Sequence, residues 1–414
     1  MARRIIPISS GKGGVGKTTL AINYALSLAR HGRTLLIDLD TGTSSIRNCL
    51  DIPFERDLYH FFKRGVRLAD CVTALPQRFD ARGEFRNFGV IAAPKHLIDD
   101  ITNFGRERRE QLIEAINGLA ADFVVLDLKS GLDANVLDFL PYTNSGILVF
   151  TPHLPAATLA ASDIVKAILF RKLRALFATA SPIYADLPGI TPRFVNDLLD
   201  RVEDVYDSGI RNLDAFVADL QHALGDQPVV RRVAEAVDSF VVHYVLNMFN
   251  GVQDSYETAV KPFVGNLADN VSAHLAIFNL GWIVVHPDIN RSNIRRVPVL
   301  LAADGRVKPG AGGVGAALES LAQQYLDRPV PRRYRLSAKG QPQAPDPASY
   351  LNGQLDTLRR MYDDMRGTSY RDNFRYITLR SLHVMKTRGP RDFGDARIFK
   401  PSEVQSILLE RLRR

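Results

Sequence analysis

A chain of 414 residues is long enough for two to three domains, and its 46% hydrophobic and 24% charged content is that of a globular protein, not a disordered or fibrous one. No apolar run approaches a membrane span and no signal-peptide pattern opens the sequence. The two cysteines, Cys49 and Cys71, lie outside C-x-x-C spacing, which excludes a disulfide framework and a four-cysteine metal site, so reducing cytoplasm is the expected compartment. The formal charge of +8 is uneven: residues 331–414 hold 18 Lys/Arg against 9 Asp/Glu, as a tail facing nucleic acid, anionic lipid or another acidic partner would, or as a solvated basic appendage would.

In chain order, Ile5–Ile8 reads as a strand, although Pro7 cannot donate to a central ladder and predicts either a local irregularity there or a donor position that faces no neighbour. The nine residues that follow shortly after, Gly11, Lys12, Gly13, Gly14, Val15, Gly16, Lys17, Thr18 and Thr19, fit the phosphate-loop template G-x-x-x-x-G-K-[ST] and add a second lysine inside it. Glycines let consecutive N–H groups approach phosphate oxygens, Lys17 supplies charge to the β- and γ-phosphates, and the Thr18 hydroxyl suits Mg²⁺. A helix starting near Leu20 places its positive dipole end at the phosphates. Further strands are expected at Thr34–Asp38, Gly89–Ala92, Phe123–Asp127, Gly146–Thr151, Val241–Asn247 and Ile283–His286. Alternation with helical patterns predicts an α/β fold: a mostly parallel sheet with helices on both faces. Asp38 and Asp40 close the second strand and Asp127 closes the fourth, at the edge where open α/β sheets bind ligands; strand-end carboxylates suit Mg²⁺ and its waters.

Residues 175–238 exceed one crossover connection and read as a helical insertion. Thr191-Pro192 opens a helix whose apolar face is Phe194, Leu198, Leu199, Val202 and Val205, and further helices are expected across Leu213–Leu224 and Val229–Val237. A last core helix, Gly315–Leu326, would close a domain spanning 1–326. A proline-punctuated linker (327–348) and a basic C-terminal appendage (349–414) would follow. In the appendage Leu351, Leu355, Leu358, Met361 and Met365 mark an amphipathic helix, while 373–385 fits a strand pair or a helix. Val404, Ile407, Leu408 and Leu412 form a face that suits either membrane contact or packing on protein.

The loop with Lys12, the Asp38-x-Asp40 pair, the Asp127-x-x-x-Gly131 spacing and Gly89–Pro94 resemble the MinD/ParA group of deviant-Walker ATPases over roughly 1–170 and 240–326, closer to the MinD and FlhG branch. The resemblance implies ATP and Mg²⁺ as cofactors. In it Lys12 reaches a partner's nucleotide across an ATP-dependent homodimer, Asp40 positions the attacking water, and Asp38 and Asp127 sit at the metal's water shell. Asn247 would read the adenine edge, and Pro287-Asp288 would flank the base. It implies a slow ATPase, stimulated by a protein partner, that positions or regulates a cellular assembly, in the cytoplasm or peripherally at the inner face of the membrane. A ParA-like DNA-partitioning factor and an ATP-binding scaffold with little turnover are the alternatives. The second switch departs from the family's small residues, since Leu128-Lys129-Ser130 stands there.

Overall fold

The computed structural model describes residues 3–42, 45–95, 99–187, 189–203, 210–225, 227–302, 318, 320, 347–387 and 393–413. Eight strands form one sheet: β1 (Arg4–Ser9), β2 (Thr34–Leu39), β3 (Thr73–Ala74), β4 (Phe88–Ile91), β5 (Phe123–Leu128), β6 (Asn144–Phe150), β7 (Val241–Phe249) and β8 (Ala276–Val284). Their order is β3-β4-β2-β5-β1-β6-β7-β8, and the short β3 alone is antiparallel to its neighbour. Every residue of β1, β2, β4, β5 and β6 is buried, so helices cover both faces of the sheet. That is why these strands read as continuous apolar runs and not as alternating patterns.

β5 lies between β1 and β2, with Ile8 and Asp38 both level with Asp127. This register brings the end of β1, where the phosphate loop begins, beside the two strand-end carboxylates. The irregularity expected at Pro7 is present. β1 meets β6 only from Ile8 and Ser9 onward, and β6 shifts register between Asn144 and Ile147. Gly146 bends there at φ +62°, so close that a Cβ would lie 2.5 Å from the Pro7 carbonyl oxygen. The Asn144 side chain accepts the Gly146 amide at 2.9 Å. The Ile5 amide, out of reach of β6, donates instead to the Asp395 carbonyl at 2.8 Å.

The described part of 349–414, expected to follow a linker, contacts the nucleotide fold directly. The Tyr370–Thr387 helix packs on β8 and on the Lys17–Ala29 helix, and Phe374, Tyr376, Ile377, Met385 and Phe393 are buried in the common core. Arg4, itself buried, donates to the carbonyls of Gly394 and Met385. The final helix, Val404–Arg413, turns Val404 and Leu408 inward and packs beside the Pro155–Leu176 helix, so these two apolar residues are covered by protein and not free for a membrane. The Leu351, Leu355 and Leu358 face belongs to the Pro347–Asp364 helix, and 373–385 is helix.

Two sequence expectations need adjustment elsewhere. The strand placed at Ile283–His286 is the longer Ala276–Val284, and His286 is instead the N-cap of the next helix, Pro287–Arg295. The insertion consists of helices Pro192–Glu203, Leu213–Leu224 and Pro228–Asp238; Val195, Leu198, Leu199 and Val202 are buried, whereas Phe194 is exposed. Val205, the linker up to 346 and the Gly315–Leu326 helix, apart from helical Leu318 and Ser320, lie outside the described residues.

Candidate phosphate-binding site

The turn from β1 into the Lys17–Ala29 helix is built by glycines where only glycine fits. Gly14 and Gly16 both adopt φ +80°, a left-handed conformation that a Cβ disfavours. A Cβ on Gly11 would run into the Ala160 backbone at 2.4 Å, so the loop lies directly on the helix that follows β6. Beneath Gly16, Asn247 donates from Nδ2 to the Val15 carbonyl at 2.8 Å. Asn247 thus supports the loop itself: its amide is turned toward Val15. β7 shifts register against β8 between Asn247 and Phe249, with Met248 at φ 56°, and this local irregularity gives the strand end its turn.

The two loop lysines part company. Lys17 is buried and its Nζ lies 2.5 Å from Oδ1 of fully buried Asp127. Lys12 is exposed, and its carbonyl accepts from the Ser10 hydroxyl at 3.0 Å. Ser10 also shares a 3.1 Å hydrogen bond with the Ser130 hydroxyl, and its carbonyl accepts the Gly131 amide at 3.0 Å. The segment after β5 is therefore tied directly to the phosphate loop. Lys129 pairs with Asp133 at 3.4 Å at the partly exposed edge of that segment.

Asp38 is fully buried beside Asp127. Its Oδ1 accepts the Asp40 amide and its Oδ2 the Ile46 amide, both at 3.1 Å. Burial first, and then the neighbouring Asp127 carboxylate, push the Asp38 carboxyl up to about 8, against the opposing hydrogen bond from Ile46. Asp40 is less buried and accepts the Ser45 hydroxyl at 3.0 Å. Thr18 follows Lys17 in the first helical turn, and Thr19 reaches the Asn293 side chain at 3.3 Å. Asn293 is a site neighbour that the sequence did not single out, since it sits mid-helix without a motif.

Two carboxylates buried side by side, one of them with an unpartnered oxygen (Asp127 Oδ2), form an arrangement short of positive charge. The donor set of two carboxylates and a threonine hydroxyl suits a hard divalent cation that takes its remaining ligands from waters and phosphate oxygens. Among the described residues no group of three or more His, Cys, Asp or Glu could hold a metal by itself. Pro287 and Asp288 start a separate wall. The His286 Nδ1 accepts the Asp288 amide at 3.2 Å, and Arg291, through a hydrogen bond, holds the Asp288 carboxyl below its ordinary range.

Comparison with known proteins agrees with this geometry. Residues 3–168 match the family model of an AAA domain. A stretch of 154 residues is 30% identical to the putative septum site-determining protein MinD of Chlorella vulgaris, covering 37% of this chain and 52% of that protein. Another of 157 residues is 32% identical to the chloroplastic minD homolog of Arabidopsis thaliana, covering 37% and 47%. These similarities support a MinD/ParA-type P-loop ATPase domain within residues 3–168. The chain spans about half the length of the curated relatives it matches. Among solved structures, septum site-determining protein MinD with Mg-ADP from Pyrococcus horikoshii OT3 aligns over 72% of this chain and 87% of its own at 15% identity, with a TM-score of 0.41. No helix among the described residues is long and apolar enough to cross a membrane.

Proposed function

We propose that this protein is an ATP-dependent dimerisation switch of the MinD and FlhG kind, a slow Mg²⁺-dependent ATPase that positions or regulates a cellular assembly. The observation that carries this reading is the division between the two lysines of one loop. Lys17 is turned inward onto Asp127, where it would serve the chain's own β- and γ-phosphates. Lys12 stands on the outer side, where it can serve a nucleotide held by a second copy. The curated relatives are named as septum site-determining proteins, which supports a site-determining role here.

Bound ATP would lay its phosphates against the amides of Gly13–Thr19 at the helix N-terminus. Mg²⁺, when bound, would neutralise phosphate charge; Thr18 would ligate it, with Asp38 and Asp127 at its water shell. Asp40, partly exposed and tethered by Ser45, would orient a water toward the γ-phosphate. The Ser10–Ser130 and Ser10–Gly131 bonds would transmit the state of the loop to the segment after β5.

Light scattering and phosphate release test this reading together. The wild-type chain should be monomeric without nucleotide and turn over ATP slowly. Asp40→Ala should bind ATP, lose turnover about 10²-fold or more and accumulate as a dimer. A variant that hydrolyses at the wild-type rate and stays monomeric with ATP would remove the assigned roles.

A further inference from the structure

The start of the Pro287–Arg295 helix is held by the nucleotide fold and the C-terminal helix together. The Tyr370 ring stacks on the His286 ring, with centroids 4.0 Å apart and planes inclined by 17°. His286 is the N-cap of the Pro287–Arg295 helix, so the stack holds the start of that helix. Two turns further on, the same helix touches the phosphate-loop helix through Asn293 and Thr19. Six residues of helical rise separate Pro287 from Asn293, about 9 Å, a span matching a ribose and base laid out from the phosphates.

The C-terminal helix is seated firmly enough to act as a support. Gly281 in β8 (φ +140°) approaches it so closely that a Cβ would lie 2.8 Å from the Ile377 side chain. Arg380, fully buried, donates to the Asn279 carbonyl at 2.7 Å, and Asn373 accepts the Val284 amide at 3.3 Å. The buried Tyr24 hydroxyl of the phosphate-loop helix lies against Ser381. One helix thus braces both the loop that would take the phosphates and the wall that would take the base.

We propose that the C-terminal helix Tyr370–Thr387 is part of the nucleotide site, with Tyr370 a positioning residue that holds the base-side wall through His286. This rests on the nucleotide-binding reading above and deepens it. One Asn247 N–H is engaged by the Val15 carbonyl, and in this proposal the 286–288 side contributes to base affinity, which then depends on docking of the C-terminal segment. Coupling of this kind is reciprocal: nucleotide strengthens the docking of the helix as the docked helix strengthens nucleotide binding.

Calorimetric titration of the full chain, with Mg²⁺, compares ATP with inorganic tripolyphosphate, which lacks a base. Tyr370→Ala should weaken ATP about three- to tenfold, the scale of one lost ring stack, and leave tripolyphosphate within twofold. Tyr370→Phe keeps the stack but loses the hydroxyl's hydrogen bond to Asp288, and should retain more ATP affinity than Tyr370→Ala. His286→Asn retains a capping acceptor without the ring and should repeat the selective loss, which guards against a misfolded alanine variant. Unchanged ATP affinity in both ring-removing variants would overturn the proposal, as would equal losses for ATP and tripolyphosphate. A wild-type chain that binds neither ligand would sink the nucleotide reading itself, an outcome distinct from the other two.

Discussion

At the scale of single residues, the Lys17–Asp127 pair decides what the usual loop substitution does. Both groups are buried, so removing one leaves the other charged and without its partner. Lys17→Ala should therefore destabilise the nucleotide-free protein by about 3–5 kcal/mol, in addition to abolishing phosphate binding. Adding Asp127→Asn should restore much of that loss without restoring binding. Urea denaturation of the two variants checks this; equal midpoints would show that the pair contributes nothing to stability. The Asp38 carboxyl supplies a pH dependence. Its folded value of about 8 lies above the ordinary 3.8, so the folded state holds a proton that the unfolded chain releases. Stability is thus unaffected by this group below about pH 4 and is drained progressively as pH rises toward 8. Asp38→Asn removes that drain, so thermal midpoints of variant and wild type should diverge in the variant's favour between pH 5 and pH 8. A constant difference across that range would contradict the burial argument. Mg²⁺ with nucleotide would supply the positive charge this pair lacks, and should flatten the wild-type profile.

At the scale of elements, the glycines that permit close approach are the sensitive points. Gly281→Val introduces a branched side chain at φ +140° and against Ile377, so it should loosen the C-terminal helix from β8. Hydrogen exchange should then rise in residues 370–387 and remain low in β5; unchanged protection in that helix would refute the close-packing argument. These elements also show where the sequence was legible. β1, the glycine loop and the Lys17–Ala29 helix could be read directly, because the conformation there is dictated by local chemistry: positive φ, exposed N–H groups and an apolar strand. β8 was displaced because Asn279 and Gly281 interrupt its pattern: the Asn279 side chain accepts the Gly281 amide at 2.7 Å, and Gly281 is required by Ile377 from a helix about a hundred residues later. The role of Asn247 was hidden for a similar reason, since the Val15 carbonyl it serves lies 232 residues away. A charge count does not reveal the packing contacts of the C-terminal region. Counted as a basic tail, its arginines include Arg380 in the core, and its lysines include Lys400, which pairs with Glu114 of the nucleotide fold at 2.8 Å. Long-range pairing of this sort leaves no periodic trace in the sequence.

At the scale of the whole molecule, the C-terminal residues behave as a closing piece. β1 is partnered by β6 only at its end, and Asp395 takes the Ile5 amide that β6 does not reach. Arg3 extends the same seam, donating to the Ala396 carbonyl at 3.2 Å, and Asn117 and Ile398 are joined by hydrogen bonds in both directions. Removal of residues 347–414 would uncover Phe374, Tyr376, Ile377, Met385 and Phe393, each worth about 1.5–3 kcal/mol of burial, and would leave the central strand with an open amide. The truncated chain should therefore be insoluble or molten by near-ultraviolet dichroism, instead of a stable ATPase lacking only a surface-binding arm. That outcome changes how DNA binding must be tested, because loss of a gel shift on truncation would report unfolding. The informative comparison keeps the chain whole and varies salt: phosphate contacts make affinity fall steeply between 50 and 200 mM, whereas a packed segment whose cations are already engaged gives weak, shallow binding. A folded, cooperatively melting 1–346 fragment that still binds nucleotide like the full chain would show that the closing piece is dispensable and that its hydrogen bonds to β1 are incidental.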